Sequence, residues 1–149
     1  MKLYLVRHGD ALDARIDDER PLSQRGRDEI GRLGAWCMHE GIRPGKIWHS
    51  PKTRARETAA LLGESFGLRG GAIEHAGLLP EDPVSPMATI LGTATDDLCL
   101  VSHLPFVDLL AGHLTGGTGQ WAFATGSMLC LGRNDAGEWH AEWFSKPPR

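Results

Sequence analysis

Lys2-Leu3-Tyr4-Leu5-Val6-Arg7-His8-Gly9 decides the fold of this chain. Its apolar run, residues 3–6, reads as a buried strand of the kind that helices cover on both faces. The run ends in a permanent cation beside an imidazole, a potential nucleophile. Two other strand-like segments end in a similar way. Lys46-Ile47-Trp48-His49-Ser50 leads into Pro51-Lys52-Thr53-Arg54, and Leu98-Cys99-Leu100-Val101-Ser102 leads into His103. In an open parallel sheet, ligands bind in the crevice at the carboxyl ends of the strands. Arg7, His8, Arg54 and His103 would then converge on one cationic, imidazole-lined pocket, suited to an anion and to phosphate above all.

Helix-like segments alternate with these strands. Pro21-Leu22-Ser23 offers a helix start with Ser23 as N-cap, and Ile30, Leu33 and Cys37 mark its buried face. Ser50-Pro51 reads as a second start, a capping hydroxyl before proline at the first helical position. Ala55, Ala59, Leu62 and Phe66 continue that stripe. A short strand is expected near 72–75, a brief helix over 87–91, a buried strand over 97–102 and a helix over 104–114. The Gly/Thr-rich run of 115–119 reads as a loop. Strands over 127–133 and 138–144 flank Asn134-Asp135-Ala136-Gly137, a hairpin turn. With no internal repeat and no linker, residues 1–149 read as one α/β domain with an antiparallel edge hairpin.

Composition narrows the function without choosing it. The chain has 149 residues, 41% of them apolar and 23% charged, and a net charge of −3. That balance argues against a nucleic-acid binder acting through bulk phosphate neutralisation. Cys37, Cys99 and Cys130 are odd in number and set in apolar surroundings, so they read as reduced core residues of a cytoplasmic protein. The chain opens directly on a strand, without a signal-peptide pattern. No apolar run approaches the ~20 residues needed to span a bilayer. His39, His49, His75, His113 and His140 lack metal-ligand spacing, so neither a metal nor another cofactor is expected.

A neutral imidazole can attack phosphorus directly and divide phosphoryl transfer into two steps. The charge on the transferred oxygens must meet donors fixed in advance, which the planar fork of arginine supplies. Two arginines and a second histidine could surround those oxygens without a metal. The ordered set Arg7-His8-Gly9, Ser50-Pro51-x-x-Arg54-Ala55-x-x-Thr58 and Ser102-His103 resembles the histidine phosphatase superfamily. Arg7-His8-Gly9-Asp10-Ala11, Arg20-Pro21-Leu22-Ser23 and Ser102-His103-Leu104-Pro105 look most like its SixA-type phosphohistidine phosphatases. The resemblance implies a phosphoglycerate-mutase-like fold, a three-layer α/β/α sandwich around a mixed, mainly parallel sheet. It also implies that His8 becomes phosphorylated while Arg7, Arg54 and His103 bind the transferred group. Arg20, in a charged loop, could point either to solvent or into the pocket. Gly9 is expected to permit a tight backbone near the phosphate.

The region Leu78-Leu79-Pro80-Glu81-Asp82-Pro83 matches only faintly the loop that supplies a proton donor in many relatives. Glu81 and Asp82 are the candidate acids. A phosphoramidate such as phosphohistidine can leave as a neutral imidazole and depends less on such an acid than an ester does. The expected substrate is therefore phosphohistidine on a protein. The alternatives are a small phosphorylated metabolite, or a non-catalytic module that binds phospho-ligands. No nucleic acid and no membrane are expected as partners.

Overall fold

The computed structural model describes residues 1–117 and 121–145. Its elements run β1 (Lys2–Arg7), α1 (Gln24–His39), β2 (Lys46–His49), α2 (Thr53–Phe66), β3 (Ala72–Glu74), α3 (Ser85–Thr93), β4 (Leu98–Ser102), α4 (Phe106–Thr115), β5 (Met128–Arg133) and β6 (Trp139–Ser145). The six strands form one sheet in the order β3-β2-β4-β1-β5-β6. The β2–β3, β2–β4 and β1–β4 pairs are parallel. β5 runs antiparallel to both β1 and β6, so the C-terminal hairpin closes one edge.

Alternation along the strands builds two cores. Leu3 and Leu5 of β1, Leu98 and Leu100 of β4, and Leu129 and Leu131 of β5 pack under α3 and α4. Tyr4 and Val6, Cys99 and Val101, and Met128 and Cys130 point the other way, under α1 and α2. Both faces are covered, which is why β1 reads as a continuous apolar run rather than an alternating one. Each fully buried leucine contributes roughly 1.5–3 kcal/mol through its removal from water. The expected α/β/α sandwich with a mixed, mainly parallel sheet is the observed architecture.

Local differences from the sequence reading have physical causes. Ser23 caps α1 as expected, accepting from Gly26 N–H at 3.0 Å. Gly26 allows that first turn to lie against the chain at Asp10, because a Cβ there would meet the Asp10 carbonyl oxygen at 2.1 Å. Ser50 does not cap α2. That helix begins two residues later, with Lys52 at the N-cap and no side-chain cap bond. α3 is longer than expected because Ser85-Pro86 belongs to its first turn. Thr115 ends α4, and Gly116 follows in the left-handed conformation at φ 72°. The rest of the loop expected over 115–119 lies partly, and Pro147-Pro148 wholly, outside the described residues. No helix among the described residues is long and apolar enough to cross a membrane.

Candidate active site

The carboxyl ends of β1, β2 and β4 lie side by side, as the order of the sheet requires. His8 continues β1 and is buried, 6% exposed. Its backbone N–H pairs with Ser102 C=O at 3.0 Å, and its own C=O accepts from Gly126 N–H at 3.0 Å. The imidazole is equally fixed, with Nδ1 lying 2.8 Å from Gly9 C=O. A carbonyl only accepts, so Nδ1 carries the proton and Nε2 presents a lone pair. Burial pushes the His8 pKa down to about 4, with the charges of Arg54, Arg7 and Arg20 acting in the same direction. The ring is therefore neutral near pH 7.

Arg54, on the first turn of α2, donates from Nε to His8 Nε2 at 3.3 Å. Arg7 donates from Nη1 to Phe123 C=O at 2.9 Å, while its Nε is buried without a partner. Burial lowers the pKa of both guanidiniums, so their charges lie partly out of water. Arg20 is half-buried in the loop after β1, which the Ala11–Leu22 bridge closes. Its backbone is left-handed at φ 49°, and its Nε donates to Leu12 C=O at 3.1 Å. The Arg20 charge reaches both His8 and Arg54.

His103 follows β4, and its ring centroid is 5.0 Å from that of His8. Its Nε2 lies 2.5 Å from Ser50 Oγ, and its Nδ1 is buried without a partner. Burial holds the His103 pKa down at about 3, helped by His8, Arg54, Lys52 and Arg7. The four residues expected to converge are thus brought together. Two buried imidazoles and two partly desolvated arginines can receive a phosphoryl group and offer it one nitrogen lone pair.

Residues 3–78 match the histidine phosphatase superfamily (branch 1). The chain belongs to the histidine phosphatase superfamily. Over 152 aligned residues it is 28% identical to phosphohistidine phosphatase SixA of Escherichia coli (strain K12), covering 99% of this chain and 94% of that protein. The structure of the protein histidine phosphatase SixA complexed with tungstate superposes with a TM-score of 0.89 at 28% identity, over 99% and 97% of the two chains. A mycobacterial glucosyl-3-phosphoglycerate phosphatase shares the fold at TM-score 0.76 and 16% identity, over 99% of both chains. Superfamily membership and the likeness to SixA along the whole chain support a phosphatase activity.

Several neighbours of this histidine phosphatase cleft were not assigned from sequence. Thr58, fully buried on α2, accepts from Gly9 N–H at 3.0 Å and donates to Arg54 C=O at 2.7 Å. It couples the segment carrying His8 to the helix carrying Arg54. The spacing Arg54-x-x-x-Thr58 was its signal, since a threonine back-bonds to the carbonyl four residues earlier. Ser102 Oγ donates to Leu78 C=O at 2.6 Å and ties the end of β4 to the acidic loop. Gly9 has a packing role. A Cβ there would meet Ile30 Cγ1 at 2.9 Å, so its lack of a side chain admits α1.

The acidic loop forms one rim of the cleft. Leu79, Pro80, Glu81 and Asp82 line a surface cavity of about 450 Å³ together with Lys52 and Arg54. Asp82 accepts from Leu79 N–H at 2.9 Å, which directs this carboxylate into its own loop. Glu81 is exposed. The three thiols are buried, and burial raises all three pKa values, so none is a ready nucleophile.

Proposed function

We propose that residues 1–149 form one histidine phosphatase domain that removes the phosphoryl group from phosphohistidine on a protein, without a metal. The observation that carries this reading is the state of His8. Its Nδ1–H is committed to Gly9 C=O, so a neutral Nε2 lone pair faces the arginines. Substrate would take over the Arg54 donor that now meets Nε2. Arg7, Arg54 and His103 would hold the phosphoryl oxygens, and Arg20 would add charge from the loop.

In the first step His8 Nε2 attacks phosphorus and the bond from phosphorus to the substrate imidazole breaks. Its electron pair returns to the departing nitrogen. Protonation of the other ring nitrogen by water makes that imidazole a neutral leaving group. In the second step a water oxygen attacks phosphorus, the bond to His8 Nε2 breaks, and phosphate leaves after losing a proton to solvent. Arginine charges fixed in advance suit both transition states, whose negative charge is spread over the phosphoryl oxygens.

Three points favour a protein-borne phosphohistidine over a small ester. Asp82 is engaged within its own loop, the cleft opens beside an exposed rim, and SixA is similar along nearly the whole chain. The test is turnover of a phosphohistidine-bearing protein beside a panel of phosphorylated metabolites, all on one preparation. The phosphoprotein should give the highest kcat/KM. A metabolite hydrolysed faster would transfer the assignment to small phosphoesters.

A further inference from the structure

Ser50 lies where the chain leaves β2. Its backbone N–H still pairs with Val101 C=O at 3.2 Å, so it extends the parallel β2–β4 ladder. The side chain is fully buried. Among the described residues Oγ has two hydrogen-bond partners, Lys52 N–H at 3.3 Å and His103 Nε2 at 2.5 Å. Helix α2 starts with its N-cap at Lys52, so capping does not account for this serine.

Proton accounting leaves two arrangements of the short bond. Lys52 N–H can only donate, and Oγ accepts from it. The hydroxyl proton of Ser50 then has one acceptor, His103 Nε2. If Nε2 carried the ring proton, that hydroxyl proton would be buried without an acceptor; if Nδ1 carries it, the ring N–H is the donor left over, and it is the one that a phosphoryl group in the cleft can satisfy. A neutral imidazole has a single N–H, and a phosphoryl acceptor in the cleft favours its placement on Nδ1. That atom is buried, unpaired among the described residues, and on the side of the ring away from Ser50. Burial and the surrounding cations keep the ring neutral at ordinary pH, so the tautomer determines whether Nδ1 donates or accepts.

We infer that Ser50 is a positioning residue that locks His103 in its Nδ1–H tautomer, so that this unpaired N–H donates to the phosphoryl group bound beside His8. The other tautomer would turn a lone pair toward the phosphoryl oxygens and repel them. Both the role and the tautomer rest on the phosphoryl-binding reading of the cleft, and the contact of Ser50 Oγ with Nε2 is the geometry that selects which ring nitrogen is left for the ligand. Sequence gives Ser50 the look of a helix cap. Its place opposite the end of β4 gives it this different task.

The experiment is nitrogen-15 NMR of the His103 ring, in the wild type and in Ser50→Ala, with and without orthovanadate. The wild-type proton should be on Nδ1, and orthovanadate should shift that N–H resonance. Ser50→Ala should move the proton partly or wholly to Nε2. It should lower kcat on the order of 10–100-fold while changing KM by less than about threefold, the pattern for an interaction made in the transition state. Ser50→Thr, which keeps the hydroxyl, should restore the Nδ1–H tautomer and most of kcat. A wild-type Nε2–H tautomer overturns the inference, as does a Ser50→Ala protein with the tautomer and kcat unchanged. If Ser50→Ala does not fold, the wild-type spectrum decides alone. Orthovanadate that fails to bind a wild type with Nδ1–H would instead overturn the phosphoryl-site reading.

Discussion

Arginines at the two ends of the sheet are used in opposite ways. Arg133, at the end of antiparallel β5, lies at the edge where the parallel strands begin. Its backbone N–H pairs with Met1 C=O at 3.1 Å. The guanidinium donates to Leu91 C=O at 2.7 Å and to Ala94 C=O, satisfying the last turn of α3, and stacks 5.6 Å from the Trp139 ring. Arg7, at the other end, leaves Nε buried and unpaired, and His103 leaves Nδ1 in the same condition. A buried donor without a partner costs roughly 1–3 kcal/mol. One end of the sheet therefore resolves its arginine internally, while the other leaves two nitrogens without a partner among the described residues, the donors that the proposed phosphoryl site would use. This contrast, more than the number of positive charges, locates the site.

Breaking the reserved end should affect chemistry and spare stability. Arg7→Ala and Arg54→Ala should each lower kcat on the order of 10²–10³-fold, the usual cost of losing a preorganised charge-stabilising donor. Arg54→Lys should recover only part, because the planar fork is lost. Thermal melting of Arg54→Ala should be unchanged or raised, since the guanidinium is desolvated without a carboxylate partner. An Arg54→Ala protein that melts lower and keeps its kcat would reverse the contrast.

Acidification should affect the same end next. His8 titrates near 4, below the ordinary histidine value of 6.5, because it is buried among arginines. Its Nε2 lone pair therefore survives to low pH, and kcat/KM should fall about tenfold per pH unit only below about pH 4. Stability should change over a different window. Between pH 6.5 and 4 the unfolded chain takes up protons that folded His8 and His103 do not, so the fold weakens as pH falls through that range. A rate profile falling near pH 6.5 would mean that His8 is not held neutral as described.

The acidic rim offers a smaller effect. With phosphohistidine as substrate, Glu81→Gln and Asp82→Asn should each change turnover by less than about tenfold, below the usual 10²–10⁴ of a general acid. A phosphoester measured on the same preparations should lose more. At the opposite end of the sheet, Arg133→Ala should leave kcat within about twofold and cost roughly 1.5–3 kcal/mol in chemical denaturation, as expected for bonds from a charged donor. Loss of activity without loss of stability there would erase the distinction between the two ends.

The fold was legible because its strands are either wholly apolar or bounded by Gly and Pro. β1 contains the whole apolar run of residues 3–6, β2 lies within the segment of residues 46–50, and β4 differs from its expected bounds by one residue. The convergence of Arg7, His8, Arg54 and His103 was legible because each follows a strand whose carboxyl end the topology brings to one side. Ser50 and Thr58 were harder to read. A serine before proline has the signature of a helix cap whether or not it caps, and only the β2–β4 pairing turns its hydroxyl toward His103. Phe123 was beyond reach, because its contribution is a backbone carbonyl more than a hundred residues from Arg7. The packing of α1 against Gly9 was not legible, because close approach by a helix and room for a phosphate leave the same mark in a sequence.

Rapid quench with a phosphohistidine protein carrying labelled phosphate reads out whether His8 takes up the phosphoryl group. Transient label should appear on this chain, stable to alkali and labile to acid, mapping to His8. His8→Ala should abolish both label and turnover while the protein stays folded. Label on another residue, or turnover by the His8→Ala protein, would contradict this role of His8.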